Sequence, residues 1–201
     1  MQIFRTAVAA LFVISGVVSA AEEHPAQTLV QSTTETVLQV LSENSERVKT
    51  DAAFLRETIV THIEPSLDFT SMTKLAVGKN WKKANTEQRD ELVKQFRLLL
   101  LNTYSNALTQ YSGQAINFLP YRESKREDRA VVRSEFEQSG GAAIPISYKL
   151  LNKGSWKIYD IAIDGISLVT NYRTGFNNKI KKDGIDGLIQ ELSTKNAGSA
   201  S

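Results

Sequence analysis

Residues 144–163 read IPISYKLLNKGSWKIYDIAI, and this stretch decides the fold. Ile144, Ile146, Tyr148 and Leu150 alternate with Pro145, Ser147 and Lys149. A period of two with one apolar parity is the pattern of a half-buried strand. Asn152, Lys153 and Gly154 supply a tight turn, after which Trp156 to Ile163 resumes as a second strand. Two strands joined so closely form an antiparallel hairpin. In the second strand Tyr159, Ile161 and Ile163 share one parity, which predicts Asp160 on the solvated face. Pro145 lacks an N–H for the ladder and is expected at the start or edge of its strand.

Moving toward the N-terminus, Val131 to Glu137 and Ile116 to Leu119 have the same strand character. Ser139, Gly140, Gly141 and Ala142 provide another turn, and residues 122–129 (RESKREDR) read as a solvated, mixed-charge connection. Helical spacing flanks this block on both sides. Val30, Val37, Leu38 and Leu41 mark a first helix. A second runs from about Asp51 through Phe54, Leu55, Ile59, His62 and Ile63, and Pro65 ends it near Ile63. The longest spans Thr86 to about Tyr111, with Asn85 as N-cap and Gln88 three residues later. Its apolar positions include Leu92, Phe96, Leu100 and Tyr104 on one face and Leu98 and Leu101 on the other, which implies burial on more than one side. Gly78 and Lys79 read as a loop. After the strands, Ser167 caps a helix carrying Leu168, Val169, Tyr172, Phe176 and Ile180. Gly184 ends that helix, and Asp186 starts a last short one with Leu188, Ile189 and Leu192. The expected class is α+β: an antiparallel sheet of about four strands wrapped by N- and C-terminal helices.

The N-terminus speaks to compartment. Arg5 precedes an apolar run from Ala7 to Val18, and small residues Val18, Ser19 and Ala20 lead into Glu22 and Glu23. The run is short for a membrane span and has the small-residue end of a secretory signal. The expected division is a signal peptide over residues 1–21, one domain over 22–195, and a flexible tail over 196–201. Without Arg5 the 24 basic residues become 23 against 22 acidic ones, a net charge near +1. That balance argues against nucleic acid as a partner. There is no cysteine, so thiol chemistry and thiolate metal sites are excluded.

Catalytic signals are weak. His24 lies beside the cleavage site in a segment expected to be mobile, and His62 fits a core or capping role on its helix. Asp164, Asp183 and Asp186 each precede glycine, which is turn and cap chemistry. Asp160 is the one carboxylate within an apolar strand, where a general-base role competes with simple solvation.

Three segments, in order, carry a resemblance. VGKNWKKANTEQR (77–89) with Phe96 and Tyr104 resembles the signature of the MlaC, or toluene-tolerance, family. WKIYDI (156–161) with GISLVTNYR (165–173) and Phe176 is similar to a second hallmark, and GIDGLI (184–189) to a third. Val77 and Leu92 stand where the family pattern has Leu and Phe. The resemblance implies a deep apolar cavity between sheet and helices, filled by phospholipid as cargo, with no cofactor and no catalysis. It further implies a periplasmic carrier that maintains outer-membrane lipid asymmetry. Its implied partners are an inner-membrane ABC transporter complex with a lipid-binding subunit and an outer-membrane lipoprotein complex. The candidate lipid-binding residues are Leu98, Leu101, Tyr104, Leu108, Tyr148, Tyr159, Ile161, Val169, Tyr172 and Phe176, each of which also fits ordinary core packing. Arg173 fits either a phosphate at the cavity mouth or a carboxylate inside the fold. Lys79, Lys82, Lys83, Lys179, Lys181 and Lys182 form two basic clusters that read first as solvated faces. Two other classes remain open: an adaptor module whose cavity is filled by side chains, and a small cone-fold enzyme.

Overall fold

In the computed structural model, which describes residues 23–138 and 140–198, several helices begin where side chains satisfy their free N–H groups. The expected signal peptide lies outside the described residues. Helix α1 (Pro25–Glu43) is capped by His24, whose Nδ1 accepts the Ala26 N–H at 3.2 Å. The His24 ring also stacks on Tyr121 at 4.1 Å and meets Trp156 edge-on at 5.2 Å. The expectation of a mobile segment there is corrected: cap and stacking together hold His24 against the sheet. Helices α2 (Ser45–Thr50) and α3 (Ala52–Thr58) follow, and Asp51 accepts the Phe54 N–H at 2.9 Å to start the latter. The chain then widens into a π turn over Ile59–Ile63 and tightens into a 3-10 turn at Glu64–Ser66, around Pro65.

Helix α4 (Phe69–Val77) was not among the expected elements. Its signals are local: Asp68 accepts both the N–H and the hydroxyl of Ser71, at 2.8 and 2.7 Å, and Met72 and Ala76 recur on one buried face. A 3-10 turn over Gly78–Lys82 replaces the expected loop. Gly78 has φ +58, and a Cβ there would lie 3.0 Å from Arg173 Nη2, so the guanidinium rests on bare backbone. Helix α5 (Thr86–Leu108) opens on a complete capping box. Gln88 N–H donates to Asn85 Oδ1 at 2.8 Å, and Asn85 N–H to Gln88 Oε1 at 3.2 Å.

The sheet has five antiparallel strands in chain order: β1 (Ile116–Phe118), β2 (Arg129–Phe136), β3 (Ile144–Asn152), β4 (Trp156–Ile163) and β5 (Ile166–Ser167). The fifth is a two-residue addition to the four expected. Beyond it, a 3-10 turn (Thr170–Tyr172) leads into α6 (Arg173–Gly198), which breaks at Gly184 (φ +75) into two helical runs. The second run continues through the residues expected to begin a flexible tail. Asn196 is buried and donates to the Gln95 carbonyl at 2.9 Å and to Gln95 Oε1 at 2.7 Å, which ties 196–198 to α5.

Register assigns the two faces of the sheet. Lys149 pairs with Asp160 while Leu150 pairs with Ile158, so Tyr159 is an extra residue in β4. Such a bulge reverses the parity of everything beyond it. Ile158, Ile161 and Ile163 therefore share one face with Leu150, Tyr148 and Ile146, while Asp160 and Ala162 share the other with Lys149 and Ser147. Simple alternation had put Ile158 with Asp160 and Tyr159 with Ile161; the bulge overturns both pairings.

The main core lies on the apolar face, where α1 packs on β2 and β4, and α4 on β4. Helices α4, α5 and α6 close the far side. Phe96, Leu92, Leu150, Val132, Leu188 and Leu192 are its most completely buried members. Removing a side chain such as Phe96 costs about 3–5 kcal/mol. A second cluster of Val37, Leu41, Val48, Leu55 and Ile59 joins the N-terminal helices to the outer half of α5.

Candidate functional site

The apolar face of the sheet is covered along only part of its length. Three cross-strand rows grade from closed to open. Ala130, Leu150 and Ile158 form a row buried in the main core. The next row is Val132, Tyr148 and Ile161, in which only Val132 is fully buried. The third row crosses all five strands as Phe118, Ser134, Ile146, Ile163 and Ile166. Its exposure climbs toward the edge, reaching 38% at Ile163 and 62% at Ile166. Beyond it lie Ile116, Phe136 and Ile144, all half-buried. Apolar side chains that stay half-open along a whole sheet face are unusual in a fold with enough helix to cover them.

Polar groups near this surface are few and mutually satisfied. Tyr148 hydrogen-bonds Thr34 of α1, and the Ser134 hydroxyl donates to its phenol oxygen at 3.5 Å. Burial pushes the Tyr148 phenol up, against those two hydrogen bonds, so it stays neutral. Tyr104 of α5 hydrogen-bonds Tyr172, whose hydroxyl donates to Thr103 Oγ1 at 3.4 Å. Burial, together with the neighbouring Tyr172 phenol, pushes Tyr104 up to about 12.

The ten candidate residues divide among several environments. Tyr148 and Ile161 lie on the half-open sheet face, and Tyr104 and Tyr172 pack half-buried against the main core from the helical side. Val169 and Phe176 are closed inside that core, with Phe176 5.3 Å from Phe96, ring to ring. Leu101 and Leu108 belong to the second cluster. Leu98 borders a mixed cleft of about 260 Å³ with Arg56, Gln95, Asn102, Ser193, Asn196 and Ala197. Leu101 borders another of about 150 Å³ with Leu55, Arg56, Asn102 and Ser105. Both clefts lie among the helices, away from the sheet. Tyr159 departs furthest from its expected place: the bulge turns it toward Arg129, whose guanidinium sits 5.2 Å from the ring centroid. Ile116, Phe136, Ile144, Ile146 and Ile163 share the open face with Tyr148 yet were not among the candidates. The alternation from Ile144 to Leu150 was the available signal for two of them.

Asp160 is fully buried, contrary to the solvated position expected for it. Lys149 Nζ donates to one carboxylate oxygen at 2.9 Å and the Ser167 hydroxyl to the other at 2.5 Å. Both oxygens are occupied, on the face opposite the apolar rows, so Asp160 has a structural task in place of a general base's. Lys179 is likewise engaged, by Asp183 at 2.9 Å and Glu191 at 3.4 Å. Among the described residues no group of His, Asp and Glu is placed to hold a metal ion, and no helix is long and apolar enough to cross a membrane.

Comparisons with known proteins bear on the family and the fold. The MlaC protein family profile matches residues 31–194. An intermembrane phospholipid transport system binding protein of Haemophilus influenzae is 26% identical over 168 residues, covering 82% of this chain and 78% of the relative. Toluene tolerance protein ttg2D of Pseudomonas putida is 29% identical over 162 residues, covering 79% and 74%. Among solved structures, a phospholipid-binding protein from Ralstonia solanacearum in complex with a phospholipid superposes with a TM-score of 0.80 at 29% identity. That match covers 89% of this chain and all of the other.

Proposed function

The chain belongs to the MlaC protein family, and from that premise we propose that it is a periplasmic phospholipid carrier whose cargo tails lie on the half-open apolar face of the sheet. The observation that carries this reading is the graded row structure: apolar residues on every strand, closed at one end and open at the other. Acyl chains are the natural cover for such a surface. They supply area without polar atoms, and the nearby phenols of Tyr104, Tyr148 and Tyr172 already have partners. Leaving two tails of ~14 methylenes each in water would cost about 20 kcal/mol at ~0.8 kcal/mol per methylene. Escape into the aqueous phase is therefore negligible.

Against a bilayer the balance is different. Tails that leave an apolar pocket for a membrane exchange one oil-like surrounding for another, so binding is near neutral and transfer is reversible. A carrier of this kind needs neither cofactor nor catalytic group; direction comes from the proteins it meets. We take these to be an inner-membrane ABC transporter complex with a lipid-binding subunit and an outer-membrane lipoprotein complex, a pairing in line with the name of the Haemophilus influenzae relative. Organic extraction of the freshly purified protein, followed by mass spectrometry, tests the reading. Stoichiometric phospholipid is expected; an empty protein would leave an adaptor whose open face serves some other contact.

A further inference from the structure

We propose that Tyr148 is the end-stop of the tail site and sets the length of acyl chain that the protein accepts. The inference rests on the carrier reading and deepens it, from where tails lie to which tails fit. The graded rows have a definite length. Ile144 pairs with Phe136 at the open end, and Tyr148 pairs with Val132 four residues further along both strands. At ~3.4 Å per residue that stretch of sheet is about 14 Å long. One leaflet of a bilayer's hydrocarbon core, half of the whole, is about 15 Å thick. The half-open face is therefore as long as a tail is deep in a membrane, and it has a far end. The next row, Ala130, Leu150 and Ile158, is sealed in the main core.

Tyr148 stands at that end as a pillar between sheet and helix. Its ring rises from β3, and its phenol reaches α1, where it hydrogen-bonds Thr34. The Ser134 hydroxyl meets the same oxygen from β2 at 3.5 Å. The helix it reaches is itself fixed, because the Thr33 and Ser66 hydroxyls bond each other at 2.8 Å. Leucine or phenylalanine at 148 would cover apolar surface as well, but neither could be tied to both layers. A phenol with a partner on each side is pinned across the gap.

A stop of this kind selects against long tails and leaves short ones alone. A tail that fits exchanges a membrane for another apolar surrounding, so it is taken up in proportion to its abundance there. A tail too long for the track cannot pass the pillar, and each methylene left in water lowers its affinity about fourfold. Discrimination therefore falls on the long end of the chain-length range.

The test compares the acyl chains on the protein with those in the membranes of the cells that made it. Cells are supplied with arachidic acid, so that their phospholipids carry arachidoyl chains beside myristoyl and palmitoyl ones. Lipid is extracted from the freshly purified protein and from the membranes, and mass spectrometry gives the chain lengths of both. The ratio of arachidoyl to myristoyl lipid is read within each protein, so a change in total load does not enter. In wild type that ratio is expected about tenfold below the membrane's. Tyr148→Leu lowers the pillar and should bring it to within about twofold of the membrane's. Tyr148→Phe, the conservative variant, restores the ring and with it the discrimination. A wild-type ratio equal to the membrane's would overturn the end-stop, whether or not the leucine variant folds. A folded Tyr148→Leu protein that discriminates as wild type does, or a Tyr148→Phe protein that accepts arachidoyl chains freely, would overturn it as well. Failure of the carrier reading is separate: it would appear as wild-type protein that yields no phospholipid of any chain length.

Discussion

The Ser167 hydroxyl donates to Asp160 at 2.5 Å and accepts the Thr170 N–H at 2.9 Å, so one side chain joins β4 to the start of the C-terminal helices. The carboxylate it serves is completely buried, and its other oxygen is held by Lys149. Ser167→Ala removes a donor from a buried anion, which costs about 1–3 kcal/mol. Lys149→Met leaves the same carboxylate without its counter-charge; because the Lys149 side chain is itself 41% exposed, the cost should be about 1–3 kcal/mol. Denaturant unfolding measures both. Two variants within a few tenths of wild type would mean that water replaces these partners freely and that the strut is unimportant.

Phe176 offers a test of core against cavity. Its ring is enclosed by Phe96 at 5.3 Å and Tyr172 at 5.5 Å, and its side chain is nearly inaccessible. Phe176→Glu places a carboxyl there with no partner, a cost of several kcal/mol even if it stays protonated. The expected result is failure to fold. A soluble variant with normal melting that has merely lost its lipid would move Phe176 from the core to the cavity wall.

Ile146 should behave in the opposite way. It is half-buried on the open row, between Ser134 and Ile163, where water reaches a new polar group. Ile146→Asp is expected to fold, with a stability loss of about 1 kcal/mol. Phospholipid recovered by extraction should fall several-fold, because a charge now lies where tails would run. Full lipid load in a folded Ile146→Asp protein would rule out this face as the tail site.

Legibility from sequence follows the length scale of each cause. The capping box at Asn85 and Gln88 and the Ile144–Ile163 hairpin are set by residues a few positions apart, and both formed as expected. The bulge at Tyr159 depends on register with a neighbouring strand, and no period within β4 reveals it. It misplaced Tyr159; Asp160 keeps the face expected of it, opposite Ile161 and Ile163, and is buried there between Lys149 and Ser167. Helix α4 is nine residues long, too short for its apolar spacing to stand out, although the Asp68 cap was readable. His24 was misjudged because its partners, Tyr121 and Trp156, lie about a hundred residues away or more. The site was legible as a class of surface, through the resemblance and the alternating isoleucines. Which apolar residues remain uncovered is decided by how far α1 and α4 extend over the sheet, a tertiary property.

Alkaline pH isolates the contact between α5 and the 3-10 turn that precedes α6. Tyr104 is pushed up to about 12 by its burial first, and then by the adjacent Tyr172 phenol, which bonds it when neutral and would be repelled as a second phenolate. An unfolded chain loses this proton near pH 10. Between about pH 10 and pH 12 the folded protein thus holds a proton that the unfolded chain has released, and folding stability must fall as pH rises through that window. Below it the contribution is fully present; above it nothing further is lost from this group. Tyr104→Phe keeps the ring and removes the proton, so its stability should decline less than that of wild type between about pH 9 and about pH 11. Denaturant midpoints for the two proteins at both pH values give the comparison, and phenolate absorbance follows the ionisation itself. Equal declines would mean that Tyr104 titrates like a free phenol and that its contact with Tyr172 does not help hold α5 to the turn before α6.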